Sequence, residues 1–160
     1  ADYAEVNPYA FAPPIAPHIA AAEAGIDIDF AVLDRAYERL RMRSNVLIVE
    51  GAGGWLAPLD AGGRFADLAV HRRMDVIWVV GLRLGCLNHA LLTVESIKRR
   101  GLRLSGWVAN AIDPHFERLA ENLSSLQARI SAPCLGFWAF APHADPDLLA
   151  KSLLIDALLS

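Results

Sequence analysis

The sequence predicts an α/β protein in which a parallel β-sheet carries helices on both faces. Short apolar runs that end in glycine or a polar residue are typical of buried strands in such a sheet, and Val46–Glu50, followed by Gly51, is the clearest of them. Helical patterns alternate with these runs, which is the order of βαβ units. Apolar residues make up 54% of the 160 residues, enough for a core. We therefore expect a single α/β domain over residues 1–160.

Strands and helices are predicted to alternate after an irregular start. Prolines make residues 1–17 irregular, because proline lacks an N–H and restricts the residue before it. Four apolar runs predict strands, at 46–50, 76–80, 104–109 and 134–140. Apolar residues at helical spacing predict helices at 18–24, 30–40, 65–70, 87–100 and 114–130, and a last helix that starts at Asp145-Pro146. Gly25 and Gly101 are expected to end helices, and Asp29 to cap one.

Composition and charge exclude several classes of protein. Charged residues are 21% of the chain and the formal net charge is −3, so no nucleic-acid surface is expected. The apolar runs are too short to span a bilayer. Cys86 and Cys134 lie far apart, in apolar surroundings and without metal-ligand spacing, so neither a disulfide nor a zinc site is expected. We expect a cytoplasmic protein without membrane or nucleic-acid partners.

Glu50 stands where the first predicted strand meets a glycine turn, Gly51-Ala-Gly-Gly54. Ligands of open α/β sheets bind at the carboxyl ends of the strands. Glycines let the backbone approach a ligand and point N–H groups at an anion. A carboxylate beside a phosphate site indicates Mg²⁺, because a bare carboxylate would repel the phosphate. The alternative is a strand that ends in a tight turn with an incidental acid.

Two other segments carry candidate polar groups. Asn110 ends the third predicted strand, and its amide offers the paired donor and acceptor that suit a purine edge; taken alone, it is better interpreted as an asparagine that closes a turn. Gly85–His89 begins the clearest helix, whose first N–H groups attract a carboxylate or phosphate. Side-chain capping is the alternative there. His89 has no acid or nucleophile near it in sequence, so a catalytic triad is not supported.

Several segments, taken together, identify a family. They are Asn7–Phe11 with Pro17–Ala20, Val49–Trp55, Leu84–Ala90 with Leu92-Thr93, and Gly106–Asn110. In these segments and their order the chain resembles the dethiobiotin synthetases, ATP-dependent enzymes of biotin synthesis. The P-loop that opens the family, and the catalytic lysine after it, have no counterpart here, since no G-x-x-x-x-G-K-[ST] motif occurs. The resemblance therefore implies the C-terminal portion of a P-loop NTPase-like enzyme, lacking the first βαβ unit and inactive by itself.

The resemblance also implies a reaction and a set of site residues. The family closes a cyclic urea on a diaminononanoate with CO₂ and MgATP, so ATP and Mg²⁺ are the expected cofactors and a homodimer the expected assembly. Carried over residue by residue, Glu50 meets Mg²⁺, and the phosphates are lined by Gly51, Ala52 and Gly53. The nucleotide base is implied to meet Asn110, Ala139, Phe140, Ala141 and Asp147. The substrate carboxylate is implied to meet Gly85, Cys86, Leu87 and Asn88, supplied across the dimer interface.

One departure from the family and two alternatives stay open. Ala139 stands where the family commonly has a proline, and Asp147 aligns only across a one-residue gap. Another P-loop amidating synthase, such as a cobyrinate amide synthase, would share the strand–Glu–glycine turn but fits Leu84–His89 and Gly106–Asn110 poorly. The other alternative is a non-catalytic dimeric scaffold module, which only the absent P-loop supports.

Overall fold

The computed structural model describes residues 1–59 and 63–159. The chain divides between Arg72 and Arg73 into two compact units, which are described one at a time. Among the described residues, no helix is both long enough and apolar enough to cross a membrane. The α/β class, with a parallel sheet and flanking helices, is confirmed, whereas the single domain stays a prediction.

The first unit contains helices α1 (Tyr3–Val6), α2 (Pro17–Glu23), α3 (Phe30–Arg41) and α4 (Phe65–His71). Their ends follow the local signals in the sequence. Pro17 opens α2, and Gly25 adopts a φ of +66° just after it. The Asp29 carboxylate accepts a 2.8 Å hydrogen bond from the Ala31 N–H at the start of α3. The predictions of α2, α3 and α4 are therefore confirmed.

Helix α1 lies inside the segment that was predicted to be wholly irregular, so that prediction is wrong for one turn. Ion pairs with α3 and the residues after it hold α1 in place. The Glu5 carboxylate lies 3.2 Å from the Arg39 Nε and 3.0 Å from a guanidinium nitrogen of Arg43. These contacts connect residues more than thirty positions apart, which a local pattern cannot predict.

The strand predicted at 46–50 is absent, and this prediction is wrong. The segment is irregular and not part of any sheet, and its side chains are largely exposed, with Val46 at 75% and Ile48 at 83%. A strand exists only where a neighbour accepts its backbone hydrogen bonds. No backbone hydrogen bond involves residues 46–50 within the described part of the chain. The apolar run therefore has the composition of a strand without the partner that would make it one.

A small apolar cluster and an ion-pair group stabilise the first unit. Ala21, Ile28 and Leu59 are buried together, and the larger side chains around them are Tyr9, Phe11, Phe30, Leu33 and Phe65. Arg72, just after α4, forms ion pairs with Asp34 and Glu38 of α3. The hydrogen bond to Asp34 raises the pKa of Arg72. The guanidinium also lies 5.0 Å from the centre of the Tyr37 ring, a cation–π contact that adds to the attachment.

The second unit is built on a parallel sheet in the order β1-β2-β3. Its elements in chain order are β1 (Val76–Leu82), α5 (Cys86–Arg99), β2 (Leu104–Ala111), α6 (Leu119–Arg129), β3 (Cys134–Trp138), α7 (Pro146–Lys151) and α8 (Asp156–Leu159). The strand–helix alternation is the one predicted. Both strand pairs are parallel, with β2 in the middle. The carboxyl ends of all three strands therefore meet at one edge of the sheet.

Helices α5 and α6 cover one face of this sheet and form the main core. The buried residues from β1 and β2 are Val80, Leu82, Trp107 and Ala109, and those from the helices and the residues at their ends are Cys86, Ala90, Val94, Leu126 and Ile130. The Trp107 indole N–H donates a 3.2 Å hydrogen bond to the Ala132 carbonyl, so its one polar atom is satisfied. β2 is buried along most of its length, as the sequence predicts.

Several boundaries in the second unit differ from the predictions, beginning with β1, which runs through Leu82 and does not end at Val80. β2 continues through Ala111, so Asn110 lies inside the strand. α6 begins at Leu119 and not at Pro114, because Arg118 just before it has a left-handed φ of +56°, through which a right-handed helix cannot continue. β3 ends at Trp138, so Phe140 lies in the loop after it. β1 is also not fully buried, since Ile77 and Val79 are 48% and 49% exposed.

Candidate functional site

Glu50 lies in the first unit, at the start of a turn that depends on glycine. Gly53 and Gly54 have φ values of +83° and +106°, a backbone region that strains any residue with a Cβ. Gly51 is not among the glycines with a positive φ, but it lies against the Phe65 ring, where an added Cβ would come within 2.6 Å of the Cδ1 atom. The turn after Glu50 is therefore compact for two reasons, backbone conformation and close packing.

A cleft of about 810 Å³ opens beside this turn, within the first unit. Leu47 to Ala52 form one wall, and the segment around Tyr9 and Phe11 contributes to another. Among the described residues, Glu5 and Glu50 are the acidic residues that line the cleft. Glu5 is already paired with two arginines, whereas within the described residues no hydrogen bond or ion pair involves Glu50. Glu50 is thus a carboxylate in this cleft that remains available to a ligand.

The donor set at Glu50 fits a metal ion that brings most of its own ligands. The described residues contain no group of three or more His, Cys, Asp or Glu side chains that could enclose a metal. Mg²⁺ does not need such a cage, because it takes one or two carboxylates and completes its shell with phosphate oxygens and water. A single exposed carboxylate beside a glycine turn fits a magnesium ion that arrives with a nucleotide. It does not fit a structural zinc or calcium site.

In the second unit, the start of α5 follows directly from the carboxyl end of β1. Gly85 stands at the N-cap with a φ of +90°, and no side chain caps the helix. Cys86 is buried, Leu87 packs against the core, and Asn88 is exposed. The first N–H groups of a helix have no partner within it; here the Cys86 N–H donates to the Arg83 carbonyl at 3.0 Å, and no side chain among the described residues accepts from the N–H groups that follow. The predicted capping role of a neighbouring side chain is therefore absent, and the helix start can accept an anion.

Asn110 lies near the same edge of the sheet. It pairs in register with Gly81 of β1 and with Trp138 of β3, one position before β2 ends. Asn110 is therefore a strand residue and not a loop residue. Its side chain is half-buried, so it is not part of the core. Since the strands are parallel, Asn110 and the start of α5 belong to one edge, where open α/β sheets bind ligands.

The remaining candidates follow β3 at that edge. Ala139, Phe140 and Ala141 form an exposed loop, and Asp147 is exposed in the first turn of α7, where its N–H donates to the Asp145 carboxylate at 2.9 Å. Trp138 fixes the start of this loop. Its indole N–H reaches the Leu149 carbonyl at 3.2 Å and the Ser152 hydroxyl at 3.0 Å.

The predicted set is divided between the two units. Glu50, Gly51, Ala52 and Gly53 belong to the first, and the candidates from Gly85 onward belong to the second. Sequence reasoning missed two side chains that shape these regions, Phe65 below the Glu50 turn and Trp138 beside α7. The sequence does not indicate either role, because an aromatic residue at the end of a helix or strand is usually there to pack in the core.

Known proteins match the chain over most of its length. A family model described as an AAA domain matches residues 1–141. An ATP-dependent dethiobiotin synthetase BioD of Aromatoleum aromaticum is 53% identical over 148 residues, which is 92% of this chain and 66% of that protein.

Proteins of the same name from two other bacteria are also similar. The one from Pseudomonas aeruginosa is 49% identical over 94% of this chain and 67% of its own length. The one from Xanthomonas campestris is 44% identical over 95% of this chain and 68% of its own length. The chain thus spans about two thirds of these relatives. The relatives show, and the family model is consistent with this, that the chain belongs to the dethiobiotin synthetase family.

Proposed function

We propose that the intact gene product containing residues 1–160 makes dethiobiotin, in an ATP-dependent step of biotin synthesis. The support is the family membership together with an available carboxylate and glycine turn at Glu50 and a polar edge of the sheet at Asn110. The substrates are 7,8-diaminononanoate, CO₂ and ATP, and the products are dethiobiotin, ADP and phosphate.

The proposed reaction forms two C–N bonds to one carbon atom. One amine of the substrate attacks CO₂ and gives a carbamate. A carbamate oxygen takes the γ-phosphoryl group of ATP, which leaves ADP and turns that oxygen into a leaving group. The second amine then attacks the carbamate carbon, the ring closes, and phosphate departs. Such a sequence depends mostly on positioning and on neutralising charge.

Glu50 carries the proposal, because its carboxylate lines the cleft of the first unit and forms no hydrogen bond or ion pair among the described residues. In the proposed site it orients the nucleotide's metal ion, while the backbone N–H groups of Gly51 to Gly53 face the phosphates. When bound there, Mg²⁺ would neutralise negative charge on the β- and γ-phosphates during transfer. Glutamate alone would repel the phosphates, so its role depends on the metal.

The second unit is proposed to hold the base and the substrate tail. The Asn110 amide would pair with the purine edge, and the loop 139–141 with Asp147 would border the base. The uncapped start of α5 at Gly85–Asn88 would hold the substrate carboxylate. We propose that the protein is a homodimer and that this substrate is bound mainly by the partner subunit. The exposed side of α5 would then lie near the interface.

The test is a magnesium titration of the Glu50→Gln variant of the intact gene product. Glutamine keeps the size of the side chain but removes the charge that attracts the ion. We expect the Mg²⁺ concentration for half-maximal ADP release to rise at least about tenfold, with an unchanged melting temperature in the absence of nucleotide. Equal magnesium dependence in variant and parent would show that Glu50 is not in the metal site.

Glu5→Gln is the matched control. It removes the other carboxylate that lines the same cleft, but one that already has arginine partners. We expect it to leave the magnesium dependence unchanged and to lower the melting temperature slightly, since exposed ion pairs contribute at most about 1 kcal/mol. If Glu5→Gln shifts the magnesium dependence as much as Glu50→Gln does, the shift follows from the loss of any negative charge in the cleft and not from the loss of a metal ligand.

A further inference from the structure

The turn after Glu50 is attached to the first residues of α4. The Phe65 N–H donates to the Ala57 carbonyl at 3.1 Å, and the Ala66 N–H donates to the Trp55 carbonyl at 3.2 Å. These donors belong to the first turn of the helix, where N–H groups have no partner within it. The loop carbonyls thus serve as the cap of α4. A shift of α4 would therefore move residues 55–57 with it.

The Phe65 ring makes a second kind of contact between α4 and the turn. The three atoms nearest to a Cβ built on Gly51 all belong to this ring, at 2.6, 2.7 and 2.8 Å. Side-chain Cβ atoms do not approach other atoms so closely, so the α-carbon of Gly51 rests on the ring itself. Gly51 follows Glu50 directly, and the ring therefore limits the positions that the Glu50 backbone can adopt.

The ring is in turn fixed by the core of the first unit. Phe65 packs against the buried cluster of Ala21, Ile28 and Leu59, and its neighbour Ala66 is fully buried. Phe65 also borders the cleft that Glu50 lines. A rigid ring between a packed cluster and a glycine turn is a suitable support for a ligand-binding carboxylate.

We infer that Phe65 is a positioning residue, whose ring holds the Gly51 backbone and thereby the Glu50 carboxylate in place. The inference rests on the proposed function, in which Glu50 meets the metal ion of the nucleotide. Phe65 itself touches no reacting atom. Its contribution is to remove freedom from the turn before the ligand arrives, so that less ordering is needed on binding.

The first experiment measures metal binding without turnover in the intact gene product. Mn²⁺ binding in the presence of ADP is followed by electron paramagnetic resonance for the parent, Phe65→Ala and Phe65→Leu. We expect Phe65→Ala to weaken Mn²⁺ binding about tenfold or more, as removal of groups behind a metal ligand commonly does. Phe65→Leu keeps part of the apolar support and should weaken Mn²⁺ binding less. This variant also provides the test if Phe65→Ala does not fold.

Phe30→Ala is the matched control, since Phe30 is an aromatic residue around the same cluster. Its truncation should lower the melting temperature as Phe65→Ala does but leave Mn²⁺ binding unchanged. If both truncations weaken metal binding equally, the effect follows general stability and the inference is wrong.

A double-mutant cycle tests the contact itself. Gly51→Ala in the parent forces a methyl group into the Phe65 ring, so it should weaken Mn²⁺ binding about tenfold or more. In the Phe65→Ala background the methyl group meets no ring, and the same substitution should have a much smaller effect. Additive effects of the two substitutions would show that the ring does not act through Gly51.

Glu50→Gln in the same binding assay separates this inference from the proposed function. If Glu50→Gln leaves Mn²⁺ binding unchanged, the metal role of Glu50 fails and Phe65 has nothing to position. If Glu50→Gln weakens binding but neither Phe65 variant does, the metal role stands and only the positioning role is refuted.

Discussion

Replacing Gly106 by alanine tests the packing of the sheet that carries the Asn110 edge. Gly106 lies in β2, and a Cβ added to it would come within 2.7 Å of the Leu135 Cδ1 and Cγ atoms and 2.9 Å of Cδ2. Leu135 is only 3% exposed, so it has little room to move away. The register between β2 and β3 shifts here, with Trp107 opposite Cys134 and Val108 opposite Gly136. Leu135 therefore occupies the space that the missing side chain of Gly106 leaves.

The expected cost follows from overpacking. Adding a methylene-sized group to a full core costs about 1–3 kcal/mol. For a chain of this size each kcal/mol lowers the melting temperature by about 2–4 °C, so Gly106→Ala should lower it by about 2–12 °C. Differential scanning calorimetry of the intact gene product measures this. In a Leu135→Ala background the added methyl group partly fills a cavity, and its cost should be smaller.

Ser105→Ala is the matched control, because it also introduces an alanine into β2, at the position next to Gly106. The Ser105 hydroxyl is buried without a hydrogen-bond partner among the described residues. Removing it should leave the melting temperature unchanged or raise it. If Gly106→Ala were as stable as the parent, Leu135 could not lie over Gly106 as described.

Three other predictions concern separate regions. Asn110→Asp replaces an amide donor by an acceptor and should lower the affinity for ATP without unfolding the protein, which competition with a fluorescent nucleotide measures; unchanged affinity would place the base elsewhere. Leu92, 57% exposed on α5, is a better interface probe than the core-packed Leu87, and Leu92→Glu should shift a dimer to monomer in sedimentation; a parent that sediments as a monomer would refute the proposed interface. In the 160-residue chain, the amides of residues 46–50 should exchange hydrogen far faster than those of β2, because no described residue accepts a hydrogen bond from them; slow exchange would mean that a strand has formed.

Elements whose ends are set by nearby residues could be predicted from the sequence. Asp29, Gly25 and the Asp145-Pro146 pair mark helix ends through local hydrogen bonds and backbone angles, and the structure has helices there. The Val46–Glu50 run could not be predicted correctly in the same way. Its apolar pattern indicates that the segment favours an extended backbone. A β-strand also needs a neighbouring strand to pair with, and that neighbour comes from residues distant in the sequence.

The same distinction holds for the candidate site. Asn110 and the start of α5 follow from strand ends and a helix start, which a sequence pattern locates to within a residue or two. The contacts between Gly51 and Phe65, and between Gly106 and Leu135, could not be predicted, because a glycine does not reveal what packs against it. Both glycines belong to segments that carry the family resemblance, and the structure supplies a packing reason for each.

The most direct test of the proposed function supplies ¹³C-bicarbonate, diaminononanoate and MgATP to the intact gene product and analyses the products by mass spectrometry. The proposal predicts dethiobiotin that carries one ¹³C atom in its urea ring, with one ADP released for each molecule formed, and a loss of both in Glu50→Gln at low magnesium. ADP release without labelled dethiobiotin, or no dependence of either product on diaminononanoate, would contradict it.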